Sequence, residues 1–95
     1  MSAWRLEIPA HVADVIRHLP PEIKRAVKAA FRAVLADPAI GEPLQKDLEG
    51  LWKYRVRRYR VVYAADRRAR VVRIFAVGHR RGIYDELATR LRRRR

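Results

Sequence analysis

Cysteine is absent from the 95 residues. That excludes a disulfide framework and a zinc site built on thiolates, and it fits a reducing compartment. No apolar run approaches the length of a membrane span, and no signal peptide is expected before the first charged residues. A soluble, cytoplasmic, single-domain protein is the expectation. Carboxylates are scarce: 10 Asp and Glu stand against 23 Lys and Arg, giving a formal charge of +13. A chain this basic needs an acidic partner, whether nucleic acid, anionic membrane or acidic protein. Membrane binding would call for a basic amphipathic helix with large apolar residues opposite. Here the cations lie on predicted strands as well as on the tail, so nucleic acid is favoured over membrane.

The most informative stretch is Leu51 to Tyr63, Leu-Trp-Lys-Tyr-Arg-Val-Arg-Arg-Tyr-Arg-Val-Val-Tyr. It alternates and is rich in aromatic and β-branched residues, which argues for strands. A two-residue turn at Arg57-Arg58 would set Val56 opposite Tyr59, Arg55 opposite Arg60, Lys53 opposite Val62 and Trp52 opposite Tyr63. One face then carries Trp52, Tyr54, Val56, Tyr59, Val61 and Tyr63. The other carries Lys53, Arg55 and Arg60, with opposite Cβ atoms about 5 Å apart. Like charges placed opposite each other destabilise a sheet. Such a cluster on so basic a chain predicts a phosphate-binding face.

The rest of the chain builds around that hairpin. Trp4 to Ile8 reads as a first strand, ended by Pro9. Val12, Val15, Ile16 and Leu19 make one helical stripe. Pro21 suits the first turn of a second helix, whose stripe is Ile23, Ala26, Val27, Ala30, Phe31 and Val34. Asp37-Pro38 stops it. The tight Pro20-Pro21 link predicts a helical hairpin. Ile40 to Leu48 reads as a loop. Arg70 to Val77 reads as the last strand of a meander, with Val72, Ile74 and Ala76 on the packing face and Arg73 and Phe75 on the cationic face. Gly78 to Gly82 is a turn or strand end. Ile83, Leu87 and Leu91 predict a short final helix, and residues 92–95 a disordered basic tail. The sum is an α+β fold, β-α-α-β-β-β with a C-terminal helix. The helical hairpin should cover the aromatic face and leave the cationic face open.

Several of these segments together resemble a known family. They are Pro43-Leu44 with Asp47-Leu48-Glu49-Gly50-Leu51, then Arg57-Arg58-Tyr59-Arg60-Val61-Val62-Tyr63, then Val77-Gly78-His79-Arg80 and Ile83-Tyr84. In this order they resemble the RelE/ParE superfamily of bacterial toxins, across nearly the whole chain. The resemblance implies a RelE-like fold over residues 1–91 and a toxin of a type II toxin–antitoxin pair. RelE-like members cleave messenger RNA, usually on the ribosome, without a metal or other cofactor. ParE-like members share the fold and inhibit DNA gyrase instead. An acidic antitoxin is the implied partner, with mRNA and the ribosome added on the RelE reading.

Residue roles follow by the same resemblance. Arg60 matches the transition-state arginine, and its planar fork suits a phosphate. Arg80 matches the arginine after the last strand, near the phosphate and leaving group. Tyr84 matches a tyrosine that stacks on or orients a base. RelE has lysines at the positions of Lys53 and Arg55. Arginine is a poor base at neutral pH, so Arg55 would only stabilise charge, while Lys53 could serve as base. The YoeB branch instead pairs a glutamate base with a histidine acid, which Glu42 and His79 resemble. Arg73 and Arg81 join Lys53, Arg55, Arg60 and Arg80 as candidate RNA contacts. The family often has glycine at the position of Arg58, so the turn type, and with it the register that sets Arg55 opposite Arg60, stays open at this position.

Overall fold

The computed structural model describes residues 3–93. Strand β1 spans Arg5–Glu7, helix α1 Ala10–Arg17 and helix α2 Pro21–Ala36. Strand β2 is the two-residue Glu42–Pro43, followed by a 3₁₀ turn at Lys46–Leu48. Strands β3 (Trp52–Val56), β4 (Tyr59–Asp66) and β5 (Val71–His79) form the meander, and α3 spans Ile83–Arg93. The sheet order is β1-β5-β4-β3-β2. Strand β1 runs parallel to β5, and the remaining pairs are antiparallel. Among the described residues no helix is long and apolar enough to cross a membrane.

The expected helices form for the expected reasons. Pro21 occupies the first turn of α2, where its missing N–H costs nothing. Asp37 is forced into extended backbone before Pro38, and the helix ends there. Val12 and Ile16 of α1 and Val27, Ala30, Phe31 and Val34 of α2 bury against Val56, Val61, Tyr63, Val72, Ile74 and Val77. The helical pair thus covers the aromatic face.

Four expectations need correction. The segment read as a loop contributes β2, because Glu42 and Pro43 pair with Lys53 and Trp52. The cationic face is not open: α3 lies on it, burying Ile83 and Leu87 against Leu51, Val62 and Ala76. Ala76 therefore belongs to the α3 side, and Val77 takes the helical-pair side. A register shift is the cause. Val62 pairs with Ala76 but Tyr63 pairs with Ile74, so Phe75 is an extra residue that reverses the facing beyond it. Finally, Arg92 and Arg93 belong to α3, where cations in the last turn complement the helix dipole. Of the basic tail, Arg94 and Arg95 lie outside the described residues.

The β3–β4 register is the one the alternation predicts: Arg55 faces Arg60 and Lys53 faces Val62. The Arg58 departure does not disturb it. Positive φ falls on Arg57, at +55°, and not on Arg58, so no glycine is required at the second loop position.

Candidate functional site

The α3 side of the sheet gathers a compact charged group. Glu42, Lys53 and Val62 stand side by side across β2, β3 and β4, and therefore share one face. Arg55 and Arg60 stand two positions further along the same face. Helix α3 closes over this row. Gly78 lies opposite Arg60. A Cβ there would come within 2.8 Å of Ile83 Cδ1, so the missing side chain is what seats the start of α3. Tyr84, the next residue, then lies beneath the cations. Lys53 Nζ is 5.9 Å from the centroid of its ring, within cation–π range.

The Tyr84 hydroxyl is buried without a hydrogen-bond partner among the described residues. Burial pushes its pKa above the ordinary phenol value. Arg60 and, more weakly, Arg55 oppose the shift, while Glu42 adds to it. The hydroxyl is thus within the electrostatic reach of three members of the cluster, Arg60, Arg55 and Glu42, although Arg60 makes no well-aligned bond to it. Arg60 is instead anchored from behind. Its Nη1 donates to the Arg57 carbonyl at 3.0 Å and the Tyr59 carbonyl at 2.7 Å. Its Nε and Nη2 donors remain for a ligand. An anchored guanidinium loses less freedom on binding than a solvated one.

The Glu42 end is held by a contact that sequence reasoning missed. Buried Tyr63 donates from its hydroxyl to the Pro38 carbonyl at 2.8 Å and accepts from the Gly41 amide at 3.1 Å. Gly41 packs so closely against the Lys53 carbonyl and the Tyr63 hydroxyl that no Cβ fits. That fastening sets β2, and hence Glu42, against β3. The glycine before Glu-Pro-Leu was the available signal.

The other named residues fall less centrally. His79 lies opposite Tyr59, with the rings edge-on at 5.7 Å, on the helical-pair side of the sheet. Its Nδ1 accepts from the Arg81 amide at 3.3 Å. It is not brought beside Arg60. Arg80 follows the end of β5, and its amide donates to the Arg58 carbonyl at 2.7 Å, which places it next to the hairpin turn. Arg81 is exposed in the same turn. Arg73 pairs with Ala64, four residues along β4 from Arg60, or roughly 13 Å at strand rise. It is already committed to Glu7 at 3.0 Å and Asp66 at 3.1 Å. Asp66 is held below the ordinary carboxylate range, first by the Ala69 amide and then by Arg73. Among the described residues no three His, Asp or Glu side chains gather at one point to ligate a metal ion.

The family described as ParE toxin of type II toxin-antitoxin system, parDE, matches residues 4–84. The chain belongs to this toxin family. It is also 37% identical over 83 residues to toxin RelE of Mycobacterium tuberculosis, covering 85% of this chain and 86% of that protein. The toxin–antitoxin complex RelBE2 of the same organism superposes with a TM-score of 0.74 at 30% identity, covering 83% of this chain and 100% of the other. A doubly substituted Escherichia coli RelE in the free state gives a TM-score of 0.78 at 23% identity over 98% of each chain, a likeness of fold. The protein is therefore a type II toxin of the RelE/ParE superfamily, with the RelE-like fold its sequence predicts.

Proposed function

We propose that this toxin is an mRNA endoribonuclease acting at the Lys53–Arg55–Arg60–Tyr84 cluster. One arrangement carries the proposal: an anchored arginine and two further cations gather around Tyr84, whose buried hydroxyl has no partner among the described residues. In the reaction the 2′-hydroxyl oxygen attacks the adjacent phosphorus. The bond to the 5′-oxygen breaks, leaving a 2′,3′-cyclic phosphate and a 5′-hydroxyl. Three needs follow: a base for the 2′-proton, positive charge for the crowded phosphate, and an acid for the 5′-oxygen.

Arg60 and Arg55 supply charge, and the free donors of Arg60's planar guanidinium can meet phosphate oxygens. Lys53 and Glu42 stand opposite each other in one row, so both base schemes keep a residue in place. Tyr84, kept protonated by burial, stands on the same side as the cations and can serve the leaving oxygen or a base of the message. His79 enters only by reaching round the end of β5 beside Arg80. No metal or cofactor takes part in this scheme. The ribosome would hold the message against the cluster. An acidic antitoxin would neutralise the toxin by covering Arg60 and Arg80 or by displacing α3. The mycobacterial RelBE2 complex, in which a relative is bound by its antitoxin, supports such a partner.

Mapping of transcript ends after induction tests the proposal. The wild type should give discrete cuts, and Arg60→Ala should lower the rate about 100-fold or more with a much smaller loss of RNA affinity. Arg60→Lys should recover only part of the rate. The ParE description of the matching family favours a second reading, gyrase inhibition without chemistry. A wild type that cuts no transcript yet blocks gyrase would replace the first reading with the second.

A further inference from the structure

A second cationic surface lies on the other side of the sheet. Helix α2 presents Arg25, Lys28 and Arg32 to solvent, opposite its buried stripe of Val27, Ala30, Phe31 and Val34. Their spacing of three and four residues puts them on one face, over about 10 Å of helix. Like charges at this spacing weaken a helix. A surface helix that serves only solubility alternates signs instead. Here no ion pair among the described residues involves α2: the pairs are Arg17–Asp14, Arg73–Glu7 and Arg73–Asp66. Lys24 is turned aside, donating to the Arg17 carbonyl at 3.1 Å.

The stripe also lacks what a protein interface needs. Beside the cations stand the exposed Ala29 and Ala36, and the one carboxylate on this face is Glu22, in the first turn of the helix before Arg25. The exposed large apolar residues among those described are Ile8, Val15 and Ile40, none of them on α2. Protein-binding surfaces gain their energy from buried aromatic and aliphatic anchors, with charge at the rim. A surface of cations and small residues suits a sugar–phosphate backbone, which is gripped by charge alone and without reading sequence.

We propose that the outer face of α2 docks the phosphate backbone of a folded, double-stranded RNA. It does so independently of the Arg60 cluster. The two surfaces lie on opposite sides of the sheet, so one RNA stem and one single strand can be held at once. The proposal stands whether or not the cluster cleaves RNA.

The test measures binding of a blunt RNA duplex of about 16 base pairs by fluorescence anisotropy across a salt series. Each phosphate contact contributes roughly 0.9 to the slope of log affinity against log salt. R25A/K28A/R32A should therefore lower the slope by about two to three. R25Q/K28Q/R32Q should do the same while keeping side-chain length. Alanine and glutamine are good helix formers, and unchanged thermal unfolding will show both variants folded. R67A/R68A/R92A removes equal charge elsewhere and should lower the slope by less than one. Arg60→Ala should leave duplex binding intact. An unchanged slope in the α2 variants would overturn the proposal, as would an equal loss in the R67A/R68A/R92A control. So would α2 variants that keep duplex binding while losing a polyglutamate peptide, because the surface would then belong to an acidic protein.

Discussion

Gly41→Ala is the most searching perturbation of the link between core and site. The added Cβ would sit inside contact distance of the Lys53 carbonyl and 2.6 Å from the Tyr63 hydroxyl. Neither neighbour can give way cheaply. The carbonyl belongs to β3 within the sheet, and Tyr63 is fully buried. The loop must therefore lift. Lifting breaks the bond from the Gly41 amide to Tyr63 and strains the one from Tyr63 to Pro38. A lost hydrogen bond costs about 1 kcal/mol, and overpacking a fixed site about 1–3 kcal/mol. The expected loss is about 3 kcal/mol, a large share of the 5–15 kcal/mol typical of a domain. In a chain of this size that lowers Tm by roughly 12–24 °C. Urea unfolding measures it directly. Gly82→Ala is the control, because nothing lies within 4 Å of the Cβ it adds and its cost should stay under about 1 kcal/mol. If Gly41→Ala unfolds within about 0.5 kcal/mol of the wild type, the Gly41–Tyr63 fastening does not hold β2.

Arg57→Gly should stabilise by up to about 1 kcal/mol by relieving its φ of +55°, whereas Arg58→Gly should destabilise by a similar amount; urea midpoints that reverse this order would refute the turn assignment. Burial raises the Tyr63 pKa, so the folded state holds the phenol proton more tightly than the unfolded state. That stability is present below about pH 10 and is lost as pH rises through the folded value. Tyr63→Phe should be less stable at pH 7, with the gap narrowing above about pH 10 in urea titrations; a gap that widens there would contradict the sign. For the base, Glu42→Gln and Lys53→Met should be compared by pH–rate profile. The true base loses its limb of the profile, and the other variant weakens binding alone; two unchanged profiles would exclude both residues.

What the sequence determined by itself was local. The Leu51–Tyr63 alternation and the two-residue turn were enough to place Arg55 opposite Arg60, because period-2 facing and turn length set a hairpin register. The α2 stripe and the proline boundaries were equally plain, since both depend on neighbours a few residues away, but of the α1 stripe only Val12 and Ile16 are buried: Val15 is exposed and Leu19 lies past the helix end. Tertiary structure decided the rest. Two residues are too few for a period, so β2 exists only through its pairing with β3, and Glu42 reaches the cluster only by that route. The extra residue at Phe75 carries no sequence mark, yet it moves Ala76 to the α3 side and Val77 to the helical-pair side. Arg73 looked like one more cation for RNA until the parallel pairing of β1 with β5 set Glu7, 66 residues away, beside it. Helix α3 was legible as a helix, but not as a cover that lays Tyr84 under Lys53. Periodicity records which way a side chain points within its own element. Which distant element comes to meet it depends on packing across the whole chain.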